Sequence, residues 1–228
     1  HLSFSLLNES WLGNKVIIML EPRRVAARMV AVQMAKLLGE EVGQSVGYQV
    51  KMESCYSKQT KLLVVTEAIL VRKLQSDQAL EDVAMVIFDE FHERSIHTDL
   101  SLALCLQVQE LLRPDLKLLI MSATLDSLEL TNLLGKIPVI NSKGKIYDVE
   151  NIYLETNIKQ PDSKSINTLL LNITLKSIKE DEGDILVFLA GSREIQKLQF
   201  LLEESLKEKN IEILPLYSTL SKEKQDKA

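Results

Sequence analysis

The chain has 228 residues, 46% hydrophobic and 26% charged, with a net charge of −5 and a pI near 5.4. That is ordinary globular composition, enough for one large domain or two modest ones; it excludes a protein basic all over, though a local groove can be basic on an acidic chain. The two distant cysteines, Cys55 and Cys105, exclude a disulfide framework and match no metal-ligand spacing, and no apolar run approaches the roughly 20 residues of a membrane-spanning helix.

The opening His1-Leu2-Ser3-Phe4 carries neither an initiator methionine nor a basic-then-apolar leader, and reads as a cut end. Val16 to Leu20 predicts a buried strand, with Pro22 as first residue of the next helix and Gly39 as its stop. Lys61 to Val65 is a second strand-like run, and Thr66 is placed to cap the following helix. Ala84 to Phe88 is apolar throughout, as for a strand covered on both faces. Leu100, Leu104, Val108 and Leu111 then recur at helical spacing until Pro114, and Leu118 to Met121 is another strand.

Strands alternating with helices predict a parallel α/β sheet flanked by helices. The polar stretch Asn141 to Lys145 suggests a boundary, giving domains 1–143 and 144–228. Beyond it, Ile166, Leu169, Leu170 and Ile173 mark an amphipathic helix, and Ile185 to Leu189 a strand. Gly191-Ser192 turns into a further helix, and Ile211 to Leu214 would be the next strand. So short a second unit looks truncated.

Asp89-Glu90-Phe91-His92-Glu93-Arg94 follows the most apolar strand directly. In open parallel sheets ligands bind beyond the carboxyl ends of strands. An Asp there suits a magnesium ion, and the next Glu can orient or deprotonate an attacking water. The bland alternative is a solvated loop; a zinc hydrolase is disfavoured, because His92 and His97 are five apart rather than four. Ser122-Ala123-Thr124 also follows a strand and could sense the Asp89 loop, though a plain helix cap reads as well. Arg23 and Arg24 after the first strand, and Thr66-Glu67 after the second, would share that rim. Arginines at a helix start can grip a phosphodiester, while each pair alone also fits a solvated surface.

In order and spacing these pieces resemble the DEAH-box helicases. Glu21-Pro22-Arg23-Arg24-Val25-Ala26-Ala27-Arg28 is similar to motif Ia, Thr66-Glu67-Ala68-Ile69-Leu70 to motif Ib, Asp89-Glu90-Phe91-His92 to motif II and Ser122-Ala123-Thr124 to motif III. Phe188-Leu189-Ala190-Gly191 with Glu194-Ile195 resembles motif IV, and Pro215-Leu216-Tyr217 the segment after it. Phe91, in place of alanine, points to the bacterial HrpB-type branch.

The resemblance implies a RecA-like domain followed by part of a second, closing on ATP and a nucleic-acid strand. Asp89 would bind Mg²⁺, Glu90 activate water, His92 link the nucleotide site to the second domain, and Ser122, Ala123 and Thr124 couple hydrolysis to unwinding. Arg23, Arg24, Thr66, Glu67 and Gly191 would contact the backbone of RNA or single-stranded DNA. A cytoplasmic location is implied too.

The family also requires a Gly-Lys-Ser/Thr loop, ahead of a helix corresponding to Leu2 through Glu9, and an arginine-bearing motif VI. Neither is in this sequence. The chain alone is therefore expected to be inactive, and its incomplete sheet could present a raw edge to another copy. A silent nucleic-acid-binding scaffold and a DNA-directed translocase stay open beside the RNA helicase.

Overall fold

The computed structural model describes residues 5–123, 134–135, 137–142, 144, 147–154, 165–207 and 211–228. Internal contacts divide the chain into His1–Ser142 and Lys143–Ala228.

Among the described residues the first unit holds six strands: β1 (Val16–Leu20), β2 (Val46–Val50), β3 (Glu53–Cys55), β4 (Leu62–Val65), β5 (Val83–Phe88) and β6 (Lys117–Ile120). Their order is β3-β2-β4-β1-β5-β6. Only β3 runs antiparallel to its neighbour; the other pairings are parallel. The expected parallel α/β sheet is therefore formed, with β2 and β3 as additions that the apolar pattern did not announce.

Among the described residues, three helices cover the sheet: α1 (Arg24–Leu37), α2 (Glu67–Ser76) and α3 (Ile96–Leu111). Alternate residues of β1 feed opposite cores, because strand side chains alternate faces. Ile17 and Met19 join Ala27, Ala31 and Ala35 of α1 on one face. Ile18 and Leu20 join Leu70 and Leu74 of α2, and Leu102, Cys105 and Val108 of α3, on the other.

Helix boundaries correct two expectations. Pro22 precedes α1 rather than beginning it: Arg23 is the N-cap, and Leu38 closes the helix before Gly39 turns at φ +73°. Thr66 stands at the start of α2, but its hydroxyl makes no capping bond. Ser95 does cap α3, accepting from the Thr98 amide at 3.0 Å.

The second unit contains α4 (Ser165–Glu180), α5 (Ser192–Ser205) and α6 (Lys222–Lys227). The strands expected at Ile185–Leu189 and Ile211–Leu214 are not formed among the described residues. Their alternation survives, however: Val187 and Leu189 pack on Leu198, Leu202 and Leu206, while Leu186 and Phe188 are 75% and 85% exposed. Periodicity is a property of the segment, whereas a ladder needs a neighbouring strand.

Candidate functional site

The register of the parallel strands brings their carboxyl ends to one rim. Leu20 lies opposite Val65 and Phe88, and Phe88 opposite Ile120. Backbone bonds continue past the strands: Glu21 N–H donates to Val65 O at 2.9 Å, Asp89 to Leu20 at 3.1 Å, and Met121 to Phe88 at 2.8 Å. Glu21, Thr66, Asp89 and Met121 thus leave a rigid sheet side by side, so the site is positioned by strands rather than by loops.

Beyond Asp89 the chain turns sharply. Asp89 Oδ1 accepts from the Glu90 amide at 2.9 Å. Glu90 itself is left-handed (φ 49°, ψ 38°), unusual for a residue with a side chain, and leads into a 3-10 turn over Phe91–Glu93. That conformation is held from both sides. Phe91 is buried edge-on against Phe88 at 6.4 Å, and its amide donates to Met121 O at 3.0 Å. Arg94 lies 5.4 Å over the Phe91 ring and forks onto Asp99 with two 3.0 Å bonds.

The turn brings His92 between two partners. His92 Nε2 is 3.3 Å from Glu90 Oε2, and the Ala123 amide donates to His92 Nδ1 at 3.4 Å. Together these contacts select the tautomer with a bare Nδ1 and a protonated Nε2. The Asp89 loop and the Ser122-Ala123 loop are therefore linked directly.

The electrostatics favour an incoming cation. Burial, then the Glu90 charge, hold Asp89 above the usual carboxylate range, opposed by the Glu90 amide and His92. Burial and the nearby Asp89 charge push Glu21 up to about 7. Carboxylates raised by desolvation and like charge are relieved by a positive ion. The donors are all oxygen, which fits magnesium. Among the described residues no group of three acidic, histidine or cysteine side chains could hold a metal, so Asp89 would supply one ligand and nucleotide and water the others.

The basic residues are already engaged. Arg23 donates to Glu93 Oε1 at 2.9 Å, and Arg24 to the Lys51 carbonyl at 2.9 Å. Glu67 Oε1 accepts from Ser95 Oγ at 2.8 Å and from Thr98 Oγ1. Arg23, Thr66, Glu67, Asp89, Glu90, His92, Ser122 and Ala123 all belong to the first unit. Thr124 lies outside the described residues. Gly191 is in the second unit as the N-cap of α5, where an added Cβ would lie 3.2 Å from Glu194 Oε2.

Sequence reasoning passed over Glu21 and Glu93 as site residues. Glu21 carried a usable signal, because it is an acidic residue directly after an apolar strand, the pattern that singled out Asp89. Glu93 carried none, because only the fold shows its partner.

A family-wide sequence profile described as DEAD/DEAH box helicase matches residues 4–133, more than half the chain. The chain is 44% identical over 215 residues to the ATP-dependent RNA helicase HrpB of Escherichia coli (strain K12), covering 94% of this chain and 26% of that protein. It also resembles the crystal structure of the E. coli DEAH/RHA helicase HrpB, with a TM-score of 0.85 and 43% identity over 99% of this chain and 28% of that one. A second crystal structure, of the E. coli DExH-box NTPase HrpB, aligns with a TM-score of 0.76 and 43% identity over 100% and 27% of the two chains. The chain therefore spans about a quarter of the length of these relatives.

Proposed function

The chain belongs to the DEAD/DEAH box helicase family, and from that premise we propose that it is the core segment of an ATP-dependent RNA helicase of the HrpB type. Its RecA-like sheet carries the Asp89-Glu90 pair at the end of β5, and this observation carries the reading. A buried strand delivers one carboxylate for a cation and a second, half exposed, to water.

Magnesium held by Asp89 would neutralise charge on the phosphoryl oxygens. Glu90 orients the attacking water and takes its proton, with the carboxylate steered by His92 Nε2–H. His92 and Ala123 link that event to the loop after β6, where Ser122, together with Thr124, would couple hydrolysis to unwinding. Arg23, Arg24 and Thr66 face the sugar-phosphate backbone. Glu67 would repel a phosphate, so it acts through the Ser95 and Thr98 hydroxyls that it holds. Gly191, at the start of α5, would let a backbone phosphate approach the helix amides once the adjoining Glu194 carboxylate moves aside. Contacts of this kind read no bases, so binding is largely indifferent to sequence.

No Gly-Lys-Ser/Thr loop occurs in the 228 residues, so the chain lacks the amides and lysine that cradle phosphates. We infer that it turns over little ATP alone and that the activity belongs to a longer protein. No helix among the described residues is long and apolar enough to cross a membrane.

The test is ATP hydrolysis by the longer protein, with and without single-stranded RNA, and with single-stranded DNA in parallel. RNA stimulation that falls about 10²-fold or more in Glu90→Gln supports the motor and its base. Stimulation by DNA alone would make it a DNA translocase. No hydrolysis at all would leave a binding scaffold.

A further inference from the structure

Arg23 belongs to the proposed strand-binding loop, yet its guanidinium is held by Glu93, a residue of the turn that carries Glu90 and His92. The Arg23 side chain is 73% exposed and Glu93 35%, so an incoming phosphodiester can reach the arginine without unfolding anything. From Glu93 the connection to the hydrolytic carboxylate is short. The Glu93 amide donates to the Glu90 carbonyl at 2.9 Å. Glu90 sits in the left-handed backbone region, a sparsely populated conformation that persists only while its surroundings hold it.

We propose that Glu93 is a positioning residue that reports strand occupancy to Glu90, by surrendering Arg23 when a phosphodiester binds. This rests on the helicase reading of the site. Without nucleic acid, the ion pair ties the turn to the strand-facing loop. A phosphate competes for the same guanidinium, and the phosphate and the Glu93 carboxylate repel each other. Arg23 therefore changes partner, and the turn carrying Glu90 loses one tether. Because the pair competes with the phosphodiester for Arg23, removing it should also tighten strand binding. That effect is separate from the effect on turnover, since reciprocity holds for binding free energies and not for rates. The pair is exposed, so its effect is bounded at about fivefold.

The experiment uses the longer protein, oligouridylate as the strand, and the variants Glu93→Gln, Glu93→Asp, Arg23→Gln and the double Gln variant. Glu93→Gln should raise ATP turnover without RNA about threefold to fivefold, and lower the RNA concentration for half-activation by a similar factor. Glu93→Asp, which keeps the charge, should stay near wild type. In about 1 M salt the RNA-free rate of wild type should rise to meet that of Glu93→Gln. In the Arg23→Gln background, Glu93→Gln should change the RNA-free rate no further. Additive effects, a gap that high salt leaves intact, or unchanged Glu93→Gln kinetics would each overturn the inference. A wild type that RNA does not stimulate removes the helicase reading, and this inference with it. A stimulated wild type with unaltered Glu93→Gln removes this inference alone.

Discussion

Glu67 and Thr98, 31 residues apart, meet through their side chains: Glu67 Oε1 accepts from Thr98 Oγ1, and Ser95 Oγ reaches the same oxygen at 2.8 Å. The bond joins the first turns of α2 and α3, the helices that follow β4 and β5. Removing the carboxylate takes away the acceptor that two partly buried hydroxyls share, leaving them each other at 3.1 Å. Glu67→Ala is expected to cost about 1–3 kcal/mol, read as a lower urea midpoint at unchanged slope. Glu67→Gln, which keeps an acceptor oxygen, should lose less.

Arg113 spans the far rim of the same sheet. Its guanidinium donates to the carbonyls of Ala79, Leu80 and Val83 at 3.2, 2.7 and 3.1 Å, and it forks onto Asp115. Leu80, held there at φ +48°, is fully buried. Arg113→Ala would leave three carbonyls without this donor and should cost about 2–4 kcal/mol. Arg113→Lys should recover only part, because one ammonium cannot reproduce the fork. Thermal unfolding of both variants checks the ranking.

Glu21 predicts a pH signature. Its folded value near 7 lies above the ordinary 4.5, so the folded chain keeps a proton that the unfolded chain releases. Stability is then lost as pH rises from about 4.5 to about 7, and levels off beyond. Glu21→Gln should match wild type near the acid end and exceed it by about 3 kcal/mol above neutrality. Urea titrations at two pH values suffice; an equal difference at both would show that burial does not protonate Glu21.

Gly47 in β2 has no room for a methyl group. A Cβ there would lie 2.6 Å from the Cys55 carbonyl oxygen and 2.7 Å from Tyr56 Cβ, and backbone does not yield cheaply. Gly47→Ala should cost about 1–3 kcal/mol. Gly39→Ala meets no neighbour but must adopt φ +73°, and should cost about 1 kcal/mol. A larger loss at Gly39 would contradict the close approach at Gly47.

The strands legible in the sequence are those with continuous apolar runs: β1, β4 and β5, which are largely buried, and β6, whose Leu118-Leu119-Ile120 run is apolar though only half-buried. β2 escaped because Gly47 and Gln49 interrupt its pattern, and β3 because Glu53-Ser54-Cys55 is short, polar and at an edge. Asp89, Glu90 and His92 were legible because their spacing is local. The left-handed turn at Glu90, the Arg23–Glu93 pair and the burial of Glu21 join residues far apart in the chain, and no local pattern encodes them. In the second unit the reverse holds: Phe188 and Leu189 alternate as strand residues should, but alternation supplies no partner.

The central place of β1, bonded to β4 on one side and β5 on the other, grades the molecule from inside outward. Its amides sit in the part that opens last and should exchange their protons with solvent most slowly, with the β3 margin among the first to exchange. Asp89 hangs from that slow centre through the Leu20 carbonyl, whereas Arg23 and Glu93 face water. The proposed cation ligand is thus mounted on the slowest-exchanging part of the sheet, and the proposed strand-sensing pair at the surface.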